Sequence, residues 1–194
     1  VVNLGRIAGT LCMLMAVRKY RNIGGAVVMN AGAYGGEIKQ IIKNATVITL
    51  DGQIKTLSAD ELELSYRHSC IPENNYIVIS AVFALEDGDK ALIKEKMADF
   101  RQRRIDKQPL EYPSAGSTFK RPEGYFAGKL IMDSDLAGYT VGGAQVSAKH
   151  CGFVINKGGA TAADVVKLIG DVQRIVKDKY NVGLEPEVKM IGEF

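Results

Sequence analysis

Apolar positions in the chain switch between strand and helix spacing, and the switches are marked by glycine, proline and short polar turns. Val1–Leu4 reads as a strand, and Ala8–Tyr20 as a helix with Leu11, Leu14, Met15 and Arg18 spaced for one face. Ile23–Gly36 breaks the pattern, with five glycines in fourteen positions. Each glycine in a helix interior costs about 1 kcal/mol against alanine, so this stretch is not expected to be helical. Glu37–Lys43 fits a short helix. Ala45–Leu50 and Ile54–Leu57 flank Asp51-Gly52, a strong hairpin signal. Ser58-Ala59-Asp60-Glu61 fits a capping box opening a short helix through about Leu64.

Tyr76–Leu85, rich in valine and isoleucine, predicts a long strand. Asp87 or Asp89 then caps a helix to about Arg104, with Ile93, Met97 and Phe100 on one face. Pro109–Gly128 reads as loop, holding Pro109, Pro113 and Pro122. Gly143–Ser147 and Gly152–Asn156 read as strands joined by a turn near Lys149. Thr161-Ala162-Ala163-Asp164 caps a long helix whose apolar stripe is Val165, Leu168, Ile169, Val172, Ile175 and Val176. Asn181-Val182-Gly183 stops it, and Glu187–Ile191 reads as a final strand. Hairpins mixed with helices, without repeated parallel units, define an α+β fold.

At 194 residues, 46% apolar and 24% charged, the chain suits one large domain or two small ones with a sizeable core. A net charge of +3 is too small to argue for nucleic acid or a membrane surface, and suits anionic ligands only mildly. No apolar run reaches the roughly 18 residues of a membrane span. Cys12, Cys70 and Cys151 are an odd set without CxxC spacing, read as free thiols of a reducing cytoplasm. His68 and His150 lack metal-ligand spacing, so no metal is expected. A chain that opens inside an element, without methionine, is expected to lack part of its N-terminal region.

Four stretches could carry chemistry. IGGAVVMNAGAYGG is either a close-packed turn or a bare backbone laid along a ligand. It is neither GxGxxG after a strand nor a P-loop. PSAGSTFKRPEG, Pro113–Gly124, puts Ser114 and Ser117 in a small-residue loop before Lys120 and Arg121. It is either a solvated turn or a presented hydroxyl beside cations that hold an anion. Arg67, in Tyr66–Ser69, is by itself an ordinary solvated arginine. Glu185 and Glu187 of LEPEV point to one side at strand spacing, toward solvent or a cleft.

IGGAVVMNAGAYGGEI, YRHS, PSAGSTFKRPEGYFAGKLI, GGAQVSAKHCGFVIN and LEPEVKMIG occur in the order found in UDP-N-acetylmuramate dehydrogenases, and the chain resembles the shorter type of that family from Ile23 to Gly192. The resemblance implies FAD and NADPH as cofactors and UDP-N-acetylglucosamine enolpyruvate as substrate. It implies the remainder of an FAD-binding domain over 1–85, a substrate-binding domain over 86–185, and a C-terminal strand over 186–194 that returns to the active site. By motif, Ser117 matches the proton-donating serine, Arg67 the arginine that polarises the enolpyruvyl carboxylate, and Glu187 the third catalytic residue. Gly24, Gly25, Asn30, Ala31 and Gly32 match the segment along the flavin, and Lys120, Gln145 and Lys149 are the positions offered for substrate contacts. The family's longer flavin region before Ile23, and its Gly-Ile-Pro-Gly stretch before GGAV, have no counterpart; Arg18–Asn22 stands there. A flavin oxidase of related fold, or a non-catalytic UDP-sugar-binding fragment, are the competing expectations.

Overall fold

The computed structural model describes residues 23–192, leaving the expected elements Val1–Leu4 and Ala8–Tyr20, and Cys12, outside the described residues. The chain divides into two compact units, Val1–Gln102 and Arg103–Phe194.

In the first unit, Ile23–Val28 is a helix, α1, despite its two glycines. Propensity is overridden by packing: α1 lies on strand β5 (Ile77–Phe83), and a Cβ on Gly24 would sit 3.7 Å from that of Val78. Strands β1 (Gly32–Ala33) and β2 (Gly36–Glu37) form a tight hairpin. Its loop residues Tyr34 and Gly35 both have positive φ, 53° and 80°, as a primed two-residue turn requires.

The helix expected over 37–43 is a 3-10 turn, Ile38–Gln40, that runs into strand β3 (Ile42–Ile48). Pairing of β3 with two neighbours outweighs the local helical pattern there. The Asp51-Gly52 hairpin is present: β3 pairs antiparallel with β4 (Ile54–Ser58), and Gly52 has φ +81°. β5 pairs on the other side of β3, giving the order β4-β3-β5.

The Ser58 box makes its bonds, with Ser58 N–H donating to Glu61 Oε2 at 2.8 Å, but it closes one turn rather than a helix, because Glu63 adopts φ 50°. Val27, Ile38, Ala45, Val47, Leu62 and Ile71 fill the core of this unit. A single helical turn, α2 (Cys70–Glu73), starts at Ser69. The long helix α3 (Lys90–Lys107) is capped by Asp89, whose Oδ1 accepts from Ala91 and Leu92 N–H.

The second unit holds an antiparallel sheet ordered β6-β9-β8-β7. These are Ser114–Ser117, Phe153–Asn156, Ala144–Val146 and Thr140–Val141 for β6, β9, β8 and β7. The expected strands 143–147 and 152–156 are thus β8 and β9. The stretch read as loop holds β6, and helix α4 (Ala127–Asp133) begins at its last two residues. β6 is SAGS, with no β propensity of its own, and exists through its ladder to β9. Helix α5 (Ala162–Tyr180) begins at the predicted Thr161 box and ends at Asn181, which is left-handed with φ 55°. Its residues Leu168, Ile169, Val172 and Val176 are buried against Leu130, Ile131, Val146 and Val154. The strand expected over 187–191 is absent; Pro186, just before it, forms an isolated bridge with Phe119.

Candidate active site

The glycine-rich segment and the Arg67 turn are far apart in sequence and joined in space. Tyr66 and Arg67 are the two central residues of a turn closed by Ser65 and His68, which exchange N–H to carbonyl bonds at 3.2 Å each way. Arg67 has φ 55°, a left-handed conformation uncommon outside glycine. It is half-buried, and its guanidinium lies 5.4 Å from the Tyr66 ring centre. Asn30, 2% exposed, holds the entry to this turn: its Nδ2 donates to Ser65 O at 3.1 Å and to Glu37 Oε2 at 2.8 Å. Its Oδ1 accepts from Lys39 N–H at 2.9 Å. Ser69, 1% exposed, holds the exit, its hydroxyl donating to Val28 O at 2.7 Å. The backbone of Ala31 is likewise used internally, its N–H reaching Ala26 O and its carbonyl accepting from Ile38.

The glycines separate by cause. A Cβ on Gly32 would come within 2.9 Å of Gly36 O and of Glu37 Cβ, so the β1–β2 hairpin demands glycine. Gly25 is exposed, and no described atom lies within 4 Å of where its Cβ would be. Packing among the described residues therefore does not explain a glycine inside α1.

In the second unit Ser117 ends β6, exposed, directly after Gly116 at φ +87° and beside a register irregularity in the β6–β9 ladder. The next residue fixes it. Thr118 is 3% exposed; its N–H donates to Gly152 O at 2.8 Å, and its hydroxyl accepts from Val154 N–H at 2.9 Å. The LEPEV tail is laced alongside: Glu187 N–H donates to Thr118 O and Lys120 N–H to Glu185 O, both at 2.8 Å. Ser117 and Glu187 therefore sit on adjoining backbone segments, Glu187 half-buried. Glu185 forms an ion pair with Lys120.

The positions offered for substrate contacts all have internal partners. Lys120 faces Glu185. The Gln145 amide donates to Thr140 Oγ1 at 3.0 Å and Gly138 O at 3.3 Å, tying β8 to the turn before β7. The Lys149 ammonium donates to Ile105 O at 2.8 Å and lies 3.8 Å from the Glu111 carboxylate. The Ser114 hydroxyl, at the start of β6, accepts from Gly116 N–H at 3.4 Å. Burial pushes the thiols of Cys70 and Cys151 up, away from reactivity. Sequence reasoning missed Thr118 and Ser69. Ser69 carried a signal, a serine opening a short helix, whereas a buried threonine bonded across a sheet leaves none.

Fold and geometry together define a mixed helix-and-sheet protein with an arginine turn braced in one unit and a serine–glutamate pair laced together in the other. Residues 108–191 match the model of the UDP-N-acetylenolpyruvoylglucosamine reductase C-terminal domain. UDP-N-acetylenolpyruvoylglucosamine reductase of Agathobacter rectalis is 68% identical over 173 residues, covering 89% of this chain and 55% of that protein. The protein of the same name from Clostridium novyi is 60% identical, over 89% of this chain and 56% of its own length. The crystal structure of UDP-N-acetylenolpyruvylglucosamine reductase (MurB) from Thermus caldophilus matches with a TM-score of 0.74 and 35% identity, over 87% of this chain and 60% of that one. The chain belongs to the UDP-N-acetylenolpyruvoylglucosamine reductase family and spans little more than half the length of these curated relatives.

Proposed function

We propose that this chain, within a protein of its relatives' length, reduces UDP-N-acetylglucosamine enolpyruvate to UDP-N-acetylmuramate in cytoplasmic peptidoglycan precursor synthesis, with FAD bound and NADPH as reductant. In this reading, 1–85 is the remainder of the FAD-binding domain, 86–185 binds substrate, and 186–194 returns to the active site. The chain's relatedness to reductases of that name supports the activity. The observation that carries the residue roles is the lacing of Glu187 onto the segment that presents Ser117.

When bound, the flavin would supply the hydride chemistry, taking hydride from NADPH and giving it to C3 of the enolpyruvyl group. Gly25 fits such a group, since its bare backbone is open to close approach. The Asn30 side chain is committed internally, so this segment's contribution to the flavin is its main chain. Hydride at C3 leaves negative charge at C2, spread into the adjoining carboxylate. The Arg67 guanidinium holds that carboxylate and stabilises the charge. The Ser117 hydroxyl gives its proton to C2, completing the lactyl ether, and Glu187 orients the groups or water that return the proton.

Ser117→Ala tests this. Reduction of the flavin by NADPH needs no proton at C2 and should proceed at the unaltered rate. Reoxidation by the enolpyruvyl substrate should slow by roughly 10²-fold or more, the usual worth of a positioned general acid. Anaerobic stopped-flow absorbance on the full-length variant reads both halves. Equal slowing of both would mean that the loop serves structure, and no slowing would remove Ser117 from the mechanism.

A further inference from the structure

The turn that carries Arg67 is attached twice, at residues on either side of Met29. Ser65 at its entry is bound by Asn30, and Ser69 at its exit binds Val28. A single attachment would leave the turn free to swing about one bond; two fix its orientation against the end of α1. Both holding side chains are almost wholly buried, at 2% and 1% exposed. The Asn30 amide has no spare donor. Its NH₂ supplies Ser65 O and Glu37, and its oxygen takes Lys39 N–H, which fixes the orientation of the amide. Buried polar groups satisfied this fully rigidify what they join.

The strain at Arg67 needs such a brace. A non-glycine residue at φ 55° is disfavoured, and such residues persist where the surroundings over-determine them. Asparagine or glycine would suit that backbone better, yet an arginine occupies it. We infer that Asn30 and Ser69 are positioning residues for Arg67, holding its turn at a fixed orientation on the glycine-rich segment so that the guanidinium meets the substrate carboxylate without first being ordered. The inference rests on the role given to Arg67 above. It assigns Asn30 to the arginine rather than to the flavin.

The test is a double-mutant cycle on the full-length, FAD-loaded protein: wild type, Ser69→Ala, Arg67→Ala and the double variant. Ser69→Ala should slow flavin reoxidation by the enolpyruvyl substrate about tenfold or more, as small misplacements of a reacting group do. Flavin content and flavin reduction by NADPH should stay within about twofold of wild type. In the Arg67→Ala background the same change should cost less than about twofold, because residues acting through one group are not additive. Equal slowing in both backgrounds, or no slowing when Arg67 is present, overturns the inference while leaving the Arg67 role intact. If Arg67→Ala reoxidises at the wild-type rate, the Arg67 role falls, and the inference with it. Should Ser69→Ala fail to hold flavin, Asn30→Ala in the same cycle decides in its place.

Discussion

Gly25 and Gly143 show how one residue type serves opposite ends. A Cβ on Gly143 would lie 2.3 Å from Ala160 N and 2.3 Å from Gly158 O, both backbone atoms that cannot swing aside. Gly143→Ala should therefore destabilise the protein by about 1–3 kcal/mol or more, the cost of overpacking. Gly25→Ala should do the reverse. With no described atom within 4 Å of its Cβ site, alanine gains helix propensity, worth about 1 kcal/mol, without a clash. If the bare backbone there serves the flavin, the same change weakens FAD retention by the full-length protein. Denaturant unfolding of both variants, with a flavin titration of the second, checks the pair. A stabilised Gly25→Ala protein with undiminished FAD binding would detach this glycine from the cofactor. The sequence displayed both glycines as members of glycine-rich motifs but could not tell them apart, because the difference lies in what folds against each. Asn30 is similar: its identity was visible, whereas its partners at Glu37, Lys39 and Ser65 were not.

Helix α5 is the element whose local signals all agree. Its Thr161 hydroxyl accepts from Asp164 N–H, and the Asp164 carboxylate accepts from Thr161 N–H, at 3.1 and 2.9 Å. The Thr161 main chain, then its hydroxyl, hold Asp164 below the ordinary aspartate value of 3.8. Lys167, then the Tyr139 hydroxyl, act likewise on Asp171. A folded-state pKa below the unfolded one contributes stability above 3.8 and loses it as pH falls through the folded value. The stability difference between wild type and Asp164→Asn should therefore be largest at neutral pH and shrink below about pH 4. Denaturant melts from pH 7 to pH 2.5 measure it, and a difference that does not vary with pH would show that the carboxylate charge is idle. The cap, the apolar stripe and the left-handed stop of α5 were all readable because each is local in sequence. So was the Asp51-Gly52 hairpin. The misread elements depend on distant partners. α1 forms against β5, β6 against β9, and 42–43 are drawn from a helical pattern into a central strand. The tail 187–191 alternates like a strand, but the isolated bridge to Phe119 falls at Pro186 and the ladder does not continue beyond the bond from Glu187 N–H to Thr118 O. Such pairings reward contacts that no local window contains.

At the scale of the whole molecule, the division into two units has an energetic counterpart. One core gathers residues between Val27 and Ile71, and the other gathers residues between Phe119 and Leu184, with no residue in common. No helix among the described residues is long and apolar enough to cross a membrane. Stability in such a chain is expected to reside in separable cooperative parts. Leu168 is the sharpest probe, 0% exposed in the middle of α5. Leu168→Ala removes buried methyl groups and leaves a cavity, costing about 2–5 kcal/mol according to how far the site collapses. That loss should fall on the second unit alone. Native-state hydrogen exchange read by mass spectrometry should show β8, β9 and α5 losing protection, while β3 and β5, built around Ala45 and Val47, keep theirs. The converse change, Val47→Ala, should expose β3 and β5 and spare α5. If either substitution lowers protection in both sets of strands together, the two cores unfold as one. The units would then be divisions of geometry without separate stabilities, and damage to the arginine turn could not be distinguished from damage to the serine edge by stability alone.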